Sequence, residues 1–420
     1  MIIESKINDY ILGLGIDLGT SGVRIAVVNV ERELIYSSSL NYQYGLSKYN
    51  DWKDNIEYLI SKIPNKIKES IVALSIDGTS GTIIASDIYG KPKGDAIPYF
   101  KTFSEYNNLI QLKIKKHDLL SFSSLNRLFK LVDLYGSNII VRHQADWISG
   151  WFMGKWELGE ETNNFKLGWD PVRKKWPEFY TESPWYRALP KIKPCGCRMG
   201  KIDKDIAKRL NLSSNLNVIA GTTDSNAGVI AANPSFEDGV TVLGSTMVVK
   251  KFANKPHFHE GVTNHFLEGK WLVGGSSNSG GAVLSKFFSD DEIAQLSKQI
   301  IPQENANLNL LPLPFVGERF PINNPKLNPR LTPRPVSDAL YLHGIFEGIS
   351  EIEKKAWAKF EEMGISKPKN IITIGNGSKN IQWQLIREKI IGIPSKRCKS
   401  PTAMGVAIIA LNNYTKNTYI

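Results

Sequence analysis

The chain begins with alternating apolar and polar blocks that predict a short antiparallel meander. Residues 11–16 and 23–28 are dominated by aliphatic side chains and glycine, as expected of buried strands. Between them, residues 17–22 combine a leading aspartate with glycines and hydroxyl side chains, a composition typical of a tight turn. A charged turn at 31–33 and a further strand at 34–38 complete the predicted meander.

Helical periodicity is strongest in three places. Residues 54–63 predict a helix that Pro64 ends, since proline cannot continue the helical hydrogen bonds. Within 121–135, apolar side chains recur on one helical face. A longer helix is predicted farther along, with an apolar stripe at helical spacing. The members of that stripe are Ile345, Ile349, Ile352, Ala356, Phe360 and Met363.

Two more predicted strands lead into turns that contain an aspartate. The strand at 71–76 runs into Asp-Gly-Thr-Ser-Gly-Thr at 77–82. The strand at 216–220 runs into Gly-Thr-Thr-Asp at 221–224, and small residues follow. We therefore expect Asp224 at a junction where a strand ends and a helix begins.

The pattern of the opening hairpin recurs in the second half of the chain. Beyond Pro234, predicted strands at 239–243 and 247–252 flank a Gly-Ser-Thr turn at 244–246. We interpret this repetition as an internal duplication of the hairpin.

The length of 420 residues exceeds one ordinary core and favours two domains. We place them at 1–234 and 235–420, as two related α/β domains that face each other. In the second, a strand at 371–374 leads through a glycine-containing turn at 375–380 into a helix. The proline-rich segment 315–336 is expected to be a surface excursion.

Composition and charge exclude several classes of protein. The net charge of +11 is spread over scattered lysines and arginines, without the aromatic-interleaved basic stripe that nucleic acids require. No uninterrupted apolar stretch approaches the ~20 residues of a membrane span. The first residues lack the apolar core of a secretory signal, so a cytoplasmic location is expected. Small molecules are thus the expected partners, and the sequence does not indicate an oligomeric state.

The cysteines favour neither a disulfide framework nor a metal site. The chain has three of them, which is too few for a disulfide scaffold. Cys195 and Cys197 form a Cys-x-Cys pair without a second ligand pair nearby. We interpret them as ordinary loop residues.

Two common nucleotide motifs are absent from the chain. No Gly-Lys pair is followed by serine or threonine, which excludes a Walker A loop. Gly13, Gly15 and Gly19 precede a β-rich segment, whereas a dinucleotide-binding fold needs a helix at that point.

The two predicted hairpins offer a different kind of phosphate site. Their backbone N–H groups and hydroxyls, if they face each other across a cleft, can hold the β- and γ-phosphates of a nucleotide. The residues concerned are Thr20, Ser21, Gly22, Gly244, Ser245 and Thr246. Asp17, at the strand end beside the first hairpin, is the candidate ligand of Mg²⁺, which prefers carboxylate and phosphate oxygens. One hairpin alone is better interpreted as an ordinary turn; the matched pair favours a phosphate site.

Asp224 is the candidate catalytic base. Phosphoryl transfer requires positioning, charge neutralisation and a group that takes the proton of the attacking hydroxyl. A carboxylate at a helix N-terminus has its charge stabilised by the helix dipole and can accept that proton. On its own, however, such a residue is more often an N-cap that stabilises its helix by about 1 kcal/mol.

Taken together, five segments resemble, in order, the motifs of the FGGY carbohydrate kinase family, part of the actin, Hsp70 and hexokinase fold superfamily. Residues 17–22 resemble its first phosphate motif and 221–224 its Gly-Thr-x-Asp base motif. Residues 241–249 are similar to its second phosphate motif, 374–383 to its adenosine motif and 403–407 to its closing helix. The resemblance covers nearly the whole chain.

This resemblance implies two ribonuclease-H-like domains with an interdomain cleft and an ATP-dependent sugar kinase that uses Mg²⁺. It also implies that Asp224 is the base, that Asp17 lies near the metal and the sugar, and that Thr79 or Ser80 contacts the sugar. The residues implied to line the adenine site are Gly375, Asn376, Gly377 and Asn380.

Within the family, four segments most resemble the short D-ribulose kinases of cyanobacteria and plants. They are residues 75–82, 163–168, 221–225 and 317–321. The implied reaction converts D-ribulose to D-ribulose 5-phosphate, with D-xylulose or glycerol or another polyol as alternative substrates. From another class, a non-catalytic sugar-binding regulator or an actin-like or Hsp70-like ATPase module stays open.

Two departures from the family pattern bear on the ligands. Asn376 stands where the family usually has a third glycine, which affects the expected nucleotide pose. Residues 97–102 lack the acidic or amide side chain that many relatives place after the aromatic residue. The sequence therefore leaves the identity of the sugar open.

Overall fold

The computed structural model describes residues 11–113 and 122–415. Their strands, in chain order, are β1 (Leu12–Leu18), β2 (Gly22–Val28), β3 (Leu34–Asn41), β4 (Ile71–Gly78), β5 (Ile83–Ser86), β6 (Ile140–His143), β7 (Leu158–Glu160), β8 (Lys191–Lys193), β9 (Arg198–Lys201), β10 (Asn217–Thr223), β11 (Asp238–Leu243), β12 (Met247–Ala253), β13 (Val262–Leu267), β14 (Lys270–Ser276), β15 (Asn370–Ile374) and β16 (Ser395–Arg397). The helices are α1 (Tyr49–Ser61), α2 (Asn65–Glu69), α3 (Asn107–Lys113), α4 (Leu125–Tyr135), α5 (Gln144–Met153), α6 (Glu161–Asn164), α7 (Lys204–Leu210), α8 (Asp224–Ala232), α9 (Gly281–Leu284), α10 (Asp290–Ser297), α11 (Asp338–Glu362), α12 (Ile381–Ile391) and α13 (Thr402–Thr415).

The chain forms two compact units. The first extends to Ala231 and also takes in Phe266–Glu268 and the chain from Ser400 onward. The second comprises Ala232–His265 and Gly269–Lys399. The closing helix α13 thus belongs to the first unit, although it follows the second in the sequence.

The first unit is built on a six-stranded sheet in the order β3-β2-β1-β4-β10-β9. Strands β1, β2 and β3 are antiparallel neighbours and form the predicted meander. Strands β1, β4 and β10 run parallel, so their carboxyl ends lie along one edge of the sheet. Their side chains are almost entirely buried, as expected of parallel strands covered on both faces.

The second unit repeats this arrangement in a sheet of order β13-β14-β12-β11-β15-β16. Strand β11 is antiparallel to β12, which is antiparallel to β14. On the other side, β11 is parallel to β15, and β15 is parallel to β16. The five-strand order β14-β12-β11-β15-β16 therefore matches β3-β2-β1-β4-β10 of the first unit. The duplication predicted from the two hairpins is confirmed at the level of the whole sheet.

Helix α13 joins the first unit because glycines allow it to pack against the backbone there. A Cβ atom on Gly15 of β1 would lie 2.0 Å from the carbonyl oxygen of Ala403, at the start of α13. A Cβ atom on Gly405 would lie 1.9 Å from the carbonyl oxygen of Ala227 in α8. Such distances exclude any side chain, so α13 is fixed by contacts that a larger residue would abolish.

Tertiary contacts shift several element boundaries from the predicted positions. The helix expected at 54–63 is α1, which begins at Tyr49 and ends before Pro64. The strand expected to end at Ala220 continues to Thr223, directly before Asp224. The helix expected from Ser121 begins at Leu125, and Ser121 itself lies outside the described residues.

The prediction for the long helix is confirmed, and the prediction for the proline-rich segment is corrected in part. Helix α11 buries its predicted apolar stripe up to Phe360. Segment 315–336 is largely exposed, as expected, but its residues Glu318 and Phe320 are buried in the second unit. Among the described residues, no helix has both the length and the apolar character needed to cross a bilayer.

Candidate active site

Three aspartates gather at the carboxyl ends of neighbouring parallel strands in the first unit. Asp17 near the end of β1 is the register partner of Asp77 in β4. Asp77 is in turn the register partner of Thr222 in β10, two residues before Asp224. Loops at the carboxyl ends of parallel strands are the usual location of binding sites in α/β proteins. The edge formed by Asp17, Asp77 and Asp224 is called the carboxylate edge below.

The first hairpin holds Asp17 in place through a close backbone approach. The Arg24 guanidinium donates to Asp17 Oδ2 from Nη1 at a distance of 3.2 Å. A Cβ atom on Gly19 would lie 2.4 Å from the same Nη1 atom, so a side chain there would displace the guanidinium from its present position. Thr20 and Ser21 are exposed at the tip of the hairpin, where their hydroxyls are open to a ligand.

Burial raises the pKa of both inner carboxyls of the carboxylate edge. The pKa of Asp77 is raised well above its usual value, first by burial and then by the negative charges of Asp17 and Asp224. The pKa of Asp17 is also raised by burial, although the Arg24 guanidinium opposes the shift. Asp17 Oδ1 and both carboxyl oxygens of Asp77 are buried without a hydrogen bond donor. A cation or a hydroxyl-bearing ligand would supply the missing partner.

The two hydroxyls predicted to contact a sugar differ in their availability. Thr79 Oγ1 donates to Gln144 Oε1 at 2.8 Å and lies 2.7 Å from Thr82 Oγ1, so its hydrogen bonds are satisfied within the protein. Ser80 Oγ is buried without a partner. Gln144, whose Nε2 reaches the Tyr42 hydroxyl at 3.4 Å, therefore orients Thr79, and Ser80 is the better placed of the two to bind a ligand.

Segment 97–102, which departs from the family pattern, is held by a buried arginine. Arg127 donates from Nη1 to the carbonyl oxygens of Tyr99 and Lys101, both at 3.0 Å. It also donates from Nε to the carbonyl oxygen of Gly81 at 2.9 Å. The Tyr99 hydroxyl lies 3.5 Å from Thr20 Oγ1. This segment therefore borders the first hairpin through the Tyr99 hydroxyl.

Asp224 begins α8, as the sequence predicted. Its Oδ1 accepts a hydrogen bond from the N–H of Ser225 at 2.7 Å. The capping contact three residues into the helix is made instead by Thr223, whose Oγ1 accepts from the N–H of Asn226 at 3.4 Å. Because Thr223 makes that contact, the structure argues against Asp224 as the N-cap of α8.

A buried polar cluster fixes the end of β10 from the other side. Asn163 donates from Nδ2 to the carbonyl oxygen of Thr222 at 3.0 Å, and Thr162 Oγ1 lies 2.9 Å from Thr222 Oγ1. Glu160 caps the short helix α6 by accepting from the N–H groups of Thr162 and Asn163. The position of Asp224 thus depends on side chains some sixty residues earlier in the chain.

We expect the stability of the protein to fall as the pH rises from about 4.5 to about 7, because of Glu161 beside this cluster. Burial raises the pKa of Glu161 from 4.5 to about 7. Between these two values the folded state holds the proton and the unfolded state does not, so the free energy of unfolding decreases with increasing pH. With about 1.4 kcal/mol per pKa unit, the charged form costs on the order of 3 kcal/mol.

Thermal denaturation of the Glu161→Gln variant at pH 5.5 and pH 8.5 measures this cost. Glutamine keeps the acceptor for the N–H of Cys195, which lies 3.3 Å from Glu161 Oε1. The variant should raise the melting temperature at both pH values, and by more at pH 8.5 than at pH 5.5, since part of the cost is already present one unit above the unfolded pKa. Glu182→Gln, a change of an exposed glutamate in the same unit, is the control. An equal shift of Glu161→Gln at both pH values would contradict the argument.

In the second unit, the predicted phosphate hairpin and the predicted adenosine loop lie at one edge of the sheet. The hairpin 244–246 follows β11, and the loop 375–380 follows the parallel neighbour β15. Gly375 has φ +89°, and a Cβ atom there would lie 2.5 Å from the carbonyl oxygen of Leu243. Ser245 and Asn376 are exposed on this edge. The structure therefore brings these two predicted motifs together.

Two predicted adenine-site residues have structural contacts of their own. Asn380 caps α12 by accepting from the N–H of Trp383 at 3.0 Å, and it donates from Nδ2 to Ser297 Oγ at 2.7 Å. Gly377 packs against Leu243, because a Cβ atom there would lie 2.8 Å from the Cβ of that leucine. Asn380 therefore fixes the loop, and Asn376 is the side chain that is free to reach outward.

Sequence reasoning missed Asp77, Gln144 and Arg127 as candidate site residues. Asp77 carried a signal, because it ends a predicted strand and is followed by Gly-Thr, as Asp17 is followed by Leu-Gly-Thr. No local sequence pattern pointed to Gln144 or Arg127, since each reaches the site from a distant helix.

The fold of the chain is the two-domain, actin-like ATPase fold found in carbohydrate kinases of known structure. The ligand-bound xylulose kinase from Lactobacillus acidophilus superimposes with a TM-score of 0.79 over 96% of this chain and 89% of that chain, at 17% sequence identity. Plasmodium falciparum glycerol kinase with ADP superimposes with a TM-score of 0.79 over 96% of this chain and 90% of that chain, at 16% identity.

Sequence comparison finds similarity to xylulose kinases over most of the chain. The xylulose kinase of Lactococcus lactis is 22% identical over 404 residues, 87% of this chain and 80% of that protein. The xylulose kinase of Staphylococcus xylosus is 22% identical in an alignment that covers 94% of this chain and 90% of that protein. No family model matches the chain.

Proposed function

We propose that the protein is a carbohydrate kinase that transfers the γ-phosphoryl group of ATP to the terminal hydroxyl of a small sugar. The observation that carries this proposal is the carboxylate edge, where Asp17, Asp77 and Asp224 converge at the ends of β1, β4 and β10. The similarity to xylulose kinases over most of the chain supports the same class of reaction.

In this proposal, Asp224 is the base that takes the proton of the sugar hydroxyl as phosphorus–oxygen bond formation begins. The bond between the γ-phosphorus and the β,γ-bridging oxygen of ATP breaks, so ADP is the leaving group and the products are ADP and a sugar phosphate. Since the phosphoryl group needs mainly positioning and charge stabilisation, the N–H groups and hydroxyls of the two hairpins are the proposed donors to the phosphates. The loop 375–380 is the proposed adenosine site.

Mg²⁺ is the proposed metal, with Asp17 as its ligand and Asp77 beside it. The residues fit such an ion, because Asp17 Oδ1 and both oxygens of Asp77 are buried without hydrogen bond donors. Within the described part of the chain, no three His, Cys, Asp or Glu side chains are grouped so as to hold a metal alone. That is the usual situation for Mg²⁺, which is bound by one or two carboxylates together with substrate phosphates. Bound there, the ion would neutralise phosphate charge.

For the sugar, we propose an open-chain ketopentose. D-Ribulose is favoured by the resemblance of residues 75–82 to the short D-ribulose kinases, and D-xylulose by the similarity to xylulose kinases. Ser80 Oγ and the oxygens of Asp77, all buried without partners, are proposed to bind the sugar hydroxyls. Tyr99, beside Thr20, is proposed to help choose between the two sugars.

Measurement of ADP release by the purified protein tests this function. The candidate acceptors are D-ribulose, D-xylulose, L-ribulose, ribitol, D-arabitol and glycerol, each tested with ATP and Mg²⁺. We expect turnover strongest with D-ribulose or D-xylulose. A preference for glycerol or a pentitol would keep the kinase and reject the ketopentose.

If no acceptor is phosphorylated in this assay, the result distinguishes a sugar-binding regulator from an ATPase module. Nucleotide binding without turnover on any of these acceptors would reject the proposed reaction on these substrates and favour a sugar-binding regulator. ATP hydrolysis that no acceptor accelerates would favour an ATPase module.

A further inference from the structure

The second phosphate hairpin packs against a loop to which the proposed function gives no role. Residues 277–281 follow β14 and contact the hairpin at both of its ends. The N–H of Gly281 donates to the carbonyl oxygen of Gly244 at 2.8 Å, and the N–H of Met247 donates to the carbonyl oxygen of Ser279 at 2.7 Å. The hairpin 244–246 therefore depends on this loop for its shape. We call residues 277–281 the support loop.

The contact between the support loop and the hairpin leaves no space for side chains. Gly280 has φ +149°, and a Cβ atom there would lie 2.8 Å from the carbonyl oxygen of Ser245. A Cβ atom on Gly281 would lie 2.9 Å from the carbonyl oxygen of Gly244. Because backbone packs directly against backbone, a small displacement of the support loop is transmitted to the hairpin.

One buried carboxylate, Glu318, anchors the support loop. Its Oε2 accepts from Ser277 Oγ at 2.6 Å, and its Oε1 accepts from the N–H of Asn278 at 2.7 Å. Oε1 also accepts from the N–H of Arg319 at 2.8 Å. Asn278 donates from Nδ2 to the carbonyl oxygen of Gly317 at 3.0 Å, which closes the contact from the other side. The side chain of Glu318 is almost wholly buried, with 3% of the residue exposed.

Glu318 makes more hydrogen bonds than the packing of one side chain requires. In the part of the chain that the structure describes, no Lys or Arg side chain forms an ion pair with Glu318, although the Arg319 guanidinium interacts with it electrostatically. The direct hydrogen bonds to Glu318 come from the Ser277 hydroxyl and two backbone N–H groups. Hydrogen bonds to a charged acceptor are roughly twice as strong as those between neutral groups. They tie the support loop to a segment some forty residues away.

We propose that Glu318 is a positioning residue for nucleotide phosphate binding, acting through the support loop on the hairpin 244–246. This inference rests on the proposed function, in which that hairpin holds the β- and γ-phosphates. It assigns a role to the segment 317–321, which the sequence singled out and the reaction itself does not use. Glu318 need not touch the nucleotide, so its loss should affect the phosphates and spare the adenosine.

Calorimetric titration with AMP-PNP plus Mg²⁺, and separately with AMP, tests the role of Glu318. AMP lacks the β- and γ-phosphates, so it reports the adenosine loop alone. For Glu318→Ala we expect AMP-PNP to bind about tenfold more weakly, because the hairpin is no longer held in place and about one hydrogen bond to the phosphates is lost, with AMP binding unchanged. Glu318→Gln keeps an oxygen that can accept from the N–H groups of Asn278 and Arg319, and its amide nitrogen can donate to Ser277 Oγ, so it should retain most of the AMP-PNP affinity.

Glu388→Ala provides the matched control. Glu388 accepts from the N–H and the hydroxyl of Ser395, at 2.9 and 3.1 Å, in the same unit and without contact to the support loop. It should lower the melting temperature as Glu318→Ala does and leave AMP-PNP binding unchanged. Equal weakening of AMP and AMP-PNP by Glu318→Ala, or no weakening of either, would overturn the proposal. Since the readout is binding, a failure of sugar phosphorylation would leave this test intact.

Discussion

Asp224→Ala should lower sugar-dependent turnover by about 10²–10⁴-fold, the usual contribution of a general base. The side chain lies at the carboxylate edge, where its charge raises the pKa of Asp77, and it begins α8 at the end of β10. Removal of the carboxylate leaves no side-chain acceptor on that residue for the proton of the sugar hydroxyl. The measurement is the rate of ADP release at saturating sugar and ATP, with AMP-PNP affinity measured in parallel.

The capping alternative predicts a different result, and α7 supplies the comparison. Asp203 caps α7 by accepting from the N–H groups of Asp205 and Ile206. Asp203→Ala should cost about 1 kcal/mol of stability and leave turnover unchanged. If Asp224→Ala behaves in the same way, with stability reduced and turnover kept, Asp224 is a cap and the assignment of the base is wrong. Retained AMP-PNP affinity with lost turnover supports the base.

Much of the fold could be predicted because its strands are apolar runs with clear ends. The hairpins of β1–β2 and β11–β12 were visible as matched patterns, whereas the strand order of both sheets came from the structure. The start of α1 was not visible, since its N-cap Lys48 makes no side-chain cap. That turn is fixed by tertiary contacts instead, as Asp51 Oδ2 accepts from the N–H of Gly45 at 3.0 Å and Trp52 Nε1 donates to the carbonyl oxygen of Leu46 at 3.0 Å.

Some residues of the candidate site could likewise be predicted from local sequence patterns, whereas others depend on contacts between distant segments. Asp17, Ser80 and Asp224 follow predicted strands, so their place at the sheet edge follows from local patterns. Gln144 is 65 residues from Thr79, and Glu318 is some forty residues from the support loop. No local pattern indicates such partners, because a buried donor or acceptor selects whichever side chain the fold brings to it.

The second unit has its own buried centre, the ion pair of Glu353 with Arg387. Glu353 is 0% exposed and Arg387 1%. Arg387 donates from Nε and Nη2 to the two carboxylate oxygens at 2.6 and 2.7 Å. Thr241 Oγ1 donates to Glu353 at 2.6 Å, and Arg387 Nη1 donates to Thr373 Oγ1 at 2.8 Å. The pair therefore joins α11 and α12 to β11 and β15, the strands that lead into the two proposed nucleotide loops.

Glu353→Met should lower the free energy of unfolding by about 3–5 kcal/mol, because it leaves the Arg387 guanidinium buried without its counterion. Arg387→Met should cost a similar amount for the converse reason. The double variant Glu353→Met with Arg387→Met should cost less than either single change, since two apolar side chains remove both charges. Urea denaturation of the three variants, followed by Trp fluorescence, measures these differences. Additive losses in the double variant would mean that the two residues act independently, contrary to the bidentate geometry. Nucleotide binding should be lost when this unit unfolds, because the strands tied by Glu353 and Arg387 carry the hairpin 244–246 and the loop 375–380.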